Sequence, residues 1–207
     1  STGSARIGAL LRGHANVVAH NVRVNVEADS LNAAVLAPDV ESDSETYGAF
    51  LSNIVTDMTQ KAGQKCTAIR RILVPHDAVD EVTEALVEEV RRVRVGHPGA
   101  KGVRMGPVAT EQQYDDVRSG IAALSQVAEF VYGDGGRGEL VGIEGERGYF
   151  VGPTLLRAES AAEAGAVHDL EVFGPVQTIL PYSGDAAEAC AAVAMGKGSL
   201  VSSVYSD

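Results

Sequence analysis

At 207 residues, with 45% hydrophobic and 22% charged side chains, the chain can build a sizeable core and holds one large domain, or one domain plus part of another; a disordered tail and a fibrous repeat are excluded. Its 17 Lys and Arg against 28 Asp and Glu leave a formal charge of −11, which repels phosphate backbones and anionic lipid and argues against nucleic acid or a membrane surface as partner. Two cysteines, Cys66 and Cys190, with no C-x-x-C or His/Cys ligand spacing, make neither a disulfide scaffold nor a metal site and suit a reducing, cytoplasmic compartment.

In chain order, Gly3 and Gly8 bracket a polar turn that opens a helix through Leu10, Leu11, Val17 and Val18. Val22, Val24 and Val26 then alternate with Asn21, Arg23, Asn25 and Glu27, which predicts a half-buried strand ending at a carboxylate. Ala33 to Leu36 is a second apolar run, stopped by Pro38. From Ser44 onward Tyr47, Phe50, Leu51, Ile54, Val55 and Met58 recur at three- and four-residue steps, so a helix with one inward face is expected, closed at Gly63. Cys66 falls in the turn before a strand predicted over Ile69 to Val74.

Asp77 is placed to cap a helix whose Val79, Val82, Leu86, Val87, Val90 and Val93 form an inward stripe, with the Glu/Arg run from Glu84 to Arg94 as its solvated face. Tyr114, Val117, Ile121, Leu124 and Val127 predict another amphipathic helix, and Phe130 to Tyr132 a strand running into the Gly-rich turn 133–138. Tyr149 to Leu156 and Val176 to Leu180 read as strands, Asp185 to Met195 as an Ala-rich helix, and Leu200 to Tyr205 as a strand without a closing element. That ending, with a start at Ser-Thr-Gly-Ser and no leader pattern, suggests a fragment of a longer protein. Helices alternating with strands predict parallel βαβ units and an α/β layered fold.

Three places have the residue types for chemistry. Cys66, in Gly63-Gln64-Lys65-Cys66, lies beyond a helix and beside a lysine, where positive charge and backbone N–H groups favour a thiolate; the alternative is a small buried hydrophobe, the role expected of Cys190. Glu27, at a predicted strand end, is a candidate general base if desolvation lifts its pKa; the alternative is a surface charge. Gly3 and Ser4 ahead of a helix can offer N–H groups and a hydroxyl to a phosphate, without the three-glycine spacing of a dinucleotide fingerprint. The five histidines are scattered singly, which favours surface or satisfied roles over metal ligation.

Together these residues resemble the aldehyde dehydrogenase superfamily. Thr2-Gly3-Ser4 with Gly8, Gly63-Gln64-Lys65-Cys66, Met105-Gly106-Pro107, Gly148-Tyr149-Phe150-Val151-Gly152-Pro153-Thr154 and Glu171-Val172-Phe173-Gly174-Pro175-Val176 follow the order of its motifs. Within it, the stretches Asn25 to Asn32 and Lys61 to Arg71 are similar to the dehydrogenase domain of the bifunctional ring-opening enzymes of phenylacetate catabolism and to relatives acting on CoA-linked semialdehydes. The resemblance implies a three-layer αβα catalytic domain over 29–207 and a remnant of a dinucleotide-binding domain over 1–28. It also implies NADP or NAD as cofactor, a small aldehyde or CoA thioester as substrate, and a homo-oligomer in the intact protein.

By the same resemblance Cys66 attacks the aldehyde, a thiohemiacetal gives up hydride to the nicotinamide, and Glu27 activates the water that hydrolyses the thioester. Glu171 holds the nicotinamide ribose, Phe173 packs near the nicotinamide, and Gly3 and Ser4 lie by the pyrophosphate. One departure stands out: Ala28, Asp29, Ser30 and Leu31 replace the usual glycines and lysine after the glutamate, so that Asp29 brings a second carboxylate near Glu27. Two other classes compete: a folded, non-catalytic module without cofactor binding, and a cysteine acyl-transfer or thioesterase-like enzyme without hydride transfer.

Overall fold

The structure is a computed structural model that describes residues 2–197 and 199–207. The chain divides into two compact units, Ser1–Ser30 and Leu31–Asp207.

In the first unit, β1 (Thr2–Gly3) pairs in parallel with β2 (Glu27–Ala28), and between them lie α1 (Ala5–Arg12) and α2 (Ala15–Ala19). Ser4 caps α1, its Oγ accepting from the Ile7 N–H at 3.4 Å. Gly8 lets α1 approach the chain before β2, because a Cβ there would stand 2.4 Å from Val26 Cγ1. The expected strand over Val22 to Val26 does not form; only Glu27 and Ala28 are extended in a ladder. Among the described residues β1 pairs with Glu27 and Ala28, and Val22 is exposed.

The second unit runs β3 (Ala33–Leu36), α3 (Glu45–Thr59), β4 (Arg71–Pro75), α4 (Val79–Arg91), β5 (Val95–Gly96), α5 (Glu111–Leu124), β6 (Glu129–Tyr132), β7 (Leu140–Val141), β8 (Thr154–Arg157), β9 (Val176–Tyr182), α6 (Ala186–Ala194) and β10 (Ser202–Tyr205). Six strands form one sheet in the order β10-β3-β4-β9-β8-β6, parallel throughout except for β6, which is antiparallel to β8. Alternate residues of each strand point to opposite faces. Ala34, Leu36, Ile72, Val74, Leu155 and Ile179 pack with the inward stripes of α3 and α4. Ala33, Val35, Leu73, Leu156, Val176 and Leu180 pack with Val117, Ile121 and Leu124 of α5 and with Ala189 and Ala192 of α6. The result is the helix–sheet–helix layering expected of an α/β fold.

Several boundaries differ from expectation. Asp77 caps no helix: His76–Ala78 is a 3-10 turn, and α4 starts behind Ala78 with no side-chain cap, its dipole met instead by Asp80 and Glu81. Residues 149–153 stay outside the sheet because their backbone bonds elsewhere, Tyr149 O accepting from Val108 N and Gly152 N donating to Gly136 O at 2.7 Å. Cys190 is exposed, one step off the Ala189/Ala192 stripe that α6 buries.

Charged groups also enter the core. Arg71 is fully buried at the start of β4 and donates to Leu31 O, to Ala192 O at 2.8 Å and to Val193 O at 3.0 Å, so it terminates α6 by satisfying its last carbonyls. Burial lowers its pKa to about 10. His168 meets it at 3.0 Å through Nδ1 and faces Ala161 O through Nε2 at 2.7 Å, so Nε2 carries the proton and Nδ1 accepts from the guanidinium.

Candidate active site

Beyond α3 the chain turns through Gln60–Gly63, where Lys61, Ala62 and Gly63 follow one another in the left-handed region with φ of 54°, 53° and 72°. Only glycine fits the third place, since a Cβ would lie 2.1 Å from Gly174 O. Cys66 follows two residues after Gln64 and is exposed, so the reading of it as a buried hydrophobe does not hold. The turn is fixed from below by Asn32, which is fully buried: its Nδ2 donates to Cys66 O at 2.9 Å and to Ala68 O at 2.8 Å, while its Oδ1 accepts from Val201 N at 2.9 Å. Lys65, expected to lend its charge to the thiol, is engaged by Asp57 at 2.6 Å, and the other oxygen of Asp57 accepts from Ile69 N at 3.1 Å. That lysine is therefore a staple of the turn whose charge is balanced by a carboxylate.

The segment carrying Glu171 and Phe173 lies against this turn. Gln64 Nε2 donates to Phe173 O at 3.4 Å and Gln64 Oε1 accepts from Ala109 N at 3.0 Å, which ties the turn to the stretch after Met105-Gly106-Pro107 as well. Arg70, buried, donates to Gly63 O at 2.8 Å, Lys65 O at 3.3 Å and Gly174 O at 3.0 Å, lies 3.8 Å from the Glu171 carboxylate and places its guanidinium 5.5 Å from the centre of the Phe173 ring. Burial lowers the pKa of Arg70, opposed by the charges of Glu171 and Asp57. Helix α5 supports the segment from behind: Gly120 leaves room for Val172, whose Cγ2 would be 2.6 Å from a Cβ there. Cys66, Glu171 and Phe173 thus stand on two loops joined by direct hydrogen bonds.

Glu27, Gly3 and Ser4 belong to the first unit. Glu27 opens β2 rather than closing a longer strand and is exposed, so it is not desolvated as expected; Asn25 Nδ2 donates to its Oε1 at 3.3 Å. Asp29 takes a left-handed φ of 42°, and its Oδ1 accepts from Ala5 N at 3.0 Å. It serves as a second cap of α1, and its charge is met by that helix N-terminus. Ser4 spends one lone pair on the same helix end and keeps its O–H proton for another acceptor.

Arg70, Asn32 and Asp57 escape the sequence reading. The available signal is their polarity in apolar surroundings: Asn32 directly precedes the run Ala33 to Leu36, and Arg70-Arg71 opens a strand that is otherwise apolar. Among the described residues no three His, Cys, Asp or Glu side chains are grouped to hold a metal ion, and no helix is long and apolar enough to cross a membrane.

Comparison with known proteins returns one family. Residues 1–207 match the profile of the aldehyde dehydrogenase family. The chain is 44% identical over 205 residues to a 3,4-dehydroadipyl-CoA semialdehyde dehydrogenase of Aromatoleum evansii, covering 99% of this chain and 40% of that protein. It superposes with a TM-score of 0.80 and 26% identity on aldehyde dehydrogenase C of Pseudomonas syringae in complex with NAD+ and octanal, over 100% of this chain and 40% of that one. With a TM-score of 0.78 and 26% identity it also superposes on a Mycobacterium tuberculosis aldehyde dehydrogenase complexed with NAD+, over 99% and 40% respectively. The sequence therefore spans about two fifths of these relatives' length, and with its motifs, its sheet and a match along its whole length in agreement, this chain belongs to the aldehyde dehydrogenase family.

Proposed function

We propose that this chain supplies the nucleophile and the general base of an enzyme that oxidises an aldehyde, specifically a CoA-linked semialdehyde of aromatic, phenylacetate-type catabolism, to its carboxylic acid with NADP or NAD. The observation that carries this reading is an exposed Cys66 on a turn held rigid by Asn32, Arg70 and three left-handed residues, bonded directly to the loop of Glu171 and Phe173. The 44% identical semialdehyde dehydrogenase supports the substrate class.

In this reaction Cys66 Sγ adds to the carbonyl carbon, and the backbone N–H of Cys66 is one donor to the oxygen that gains charge. Glu27 takes a proton from the water that cleaves the thioester, which releases the acid and restores the thiol. The nicotinamide cofactor, when bound, supplies the hydride acceptor. The donor set fits its nicotinamide half: the Glu171 carboxylate, with its side chain 9% exposed, is an acceptor pair suited to a vicinal diol, and half-buried Phe173 is an apolar ring beside it. In the first unit Ser4 retains a hydroxyl proton for a phosphate oxygen, whereas the Ala5 N–H is spent on Asp29. The second unit serves as catalytic domain and the first as part of a cofactor domain, in a cytoplasmic homo-oligomer.

The test is Cys66→Ala in the intact protein, followed at the nicotinamide absorbance band. Aldehyde-dependent reduction should vanish while cofactor still binds; turnover that persists overturns the assignment. A wild-type protein that consumes acyl thioester and never reduces cofactor would favour the acyl-transfer class instead.

A further inference from the structure

A buried cation, Arg70, lies where the two loops of the site meet, beside the bond from Gln64 to Phe173 O. The two terminal nitrogens of the planar Arg70 fork donate to three backbone carbonyls drawn from both loops: Nη2 to Gly63 O and Lys65 O on the Cys66 turn, Nη1 to Gly174 O on the segment of Glu171 and Phe173. Its charge is balanced by Glu171 at 3.8 Å, and its face covers the Phe173 ring. The contact leaves no slack: Gly63 and Gly174 approach so closely that no Cβ fits at Gly63. A displacement of Glu171 or of the Gly174 carbonyl is therefore felt by the guanidinium and, through it, by the carbonyls one and three residues before Cys66.

Resting on the proposed function, we infer that Arg70 is a positioning residue that couples occupancy of the Glu171/Phe173 loop to the geometry of the Cys66 turn. A ribose drawing on the Glu171 carboxylate would alter the balance of the Arg70 charge and tighten its hold on Gly63 O and Lys65 O. Cofactor binding then sets the placement of the thiol. A merely structural arginine would support folding alone and leave no such link.

The experiment uses the intact protein as wild type, Arg70→Gln, Arg70→Lys and Cys66→Ala, with steady-state kinetics and the rate of Cys66 alkylation by iodoacetamide with and without NADP or NAD. Wild-type alkylation should respond to cofactor. In Arg70→Gln the cofactor KM should rise roughly tenfold or more, with a smaller change in kcat, and alkylation should become indifferent to cofactor. Arg70→Lys keeps the charge without the fork, so it should remain folded and show a partial loss of the response; it carries the test if Arg70→Gln does not fold. Wild-type cofactor KM and wild-type cofactor response in folded Arg70 variants overturn the inference. Persistent aldehyde oxidation by Cys66→Ala instead overturns the function on which it rests, so the two failures are told apart.

Discussion

Single residues in this protein carry constraints that their types alone do not announce. Gly63→Ala is expected to cost at least about 1–3 kcal/mol, because it forces a Cβ into a left-handed residue and against the carbonyl of Gly174; the urea midpoint of the intact protein checks this. Asn32→Ala strips partners from Cys66 O, Ala68 O and Val201 N; the bond to Ala68 O is buried, and a buried group left unmade costs about 1–3 kcal/mol. A loosened turn should also alkylate faster at Cys66. For His168, burial holds the pKa below its ordinary 6.5. As pH falls through the ordinary value the unfolded chain takes up the proton first, so stability declines from there and levels off only below the folded-state pKa, with a slope of at most ~1.4 kcal/mol per pH unit. His168→Gln should flatten that decline in urea titrations run at pH 7.5 and below.

At the scale of elements, what was legible was what depends on period. The stripes of α3, α4 and α5 announce themselves in the sequence because a helix buries every third or fourth residue whatever it packs against. Strand limits were less legible, because a strand exists only where a neighbour completes its ladder. Val22 to Val26 have the alternation but form no strand among the described residues, and Tyr149 to Pro153 spend their backbone on loops. Cys190, expected in the core, is exposed, and an Ala-rich helix shows no contrast between its faces that would mark this in the sequence. Ile72, fully buried between β3 and β9, should cost about 2–5 kcal/mol as Ile72→Ala. Its neighbour Arg71 was unreadable as a helix terminator, because the carbonyls it satisfies arrive from α6 far along the chain.

For the molecule as a whole, the motifs point to Cys66, Glu171 and Phe173 from sequence, and the second unit brings their loops together. Arg70, which helps to join them, and Asn32, which fixes the Cys66 turn, leave no comparable mark: the hydrogen bonds they make go to main-chain groups, which every residue possesses, so no spacing of side chains reveals them. The acid groups of this chain, with a net −11, should lose their mutual repulsion as pH drops toward the carboxylate range, so that light scattering from the 207-residue chain rises. Asn32 has one further effect. Its amide grips the Cys66 turn with the nitrogen and the approach to β10 with the oxygen, so the Val201 proton is sequestered only while the grip lasts. In an isotope-exchange spectrum that single proton becomes a clock for the opening of the Cys66 turn, legible beside the edge strand without a label on the sulfur.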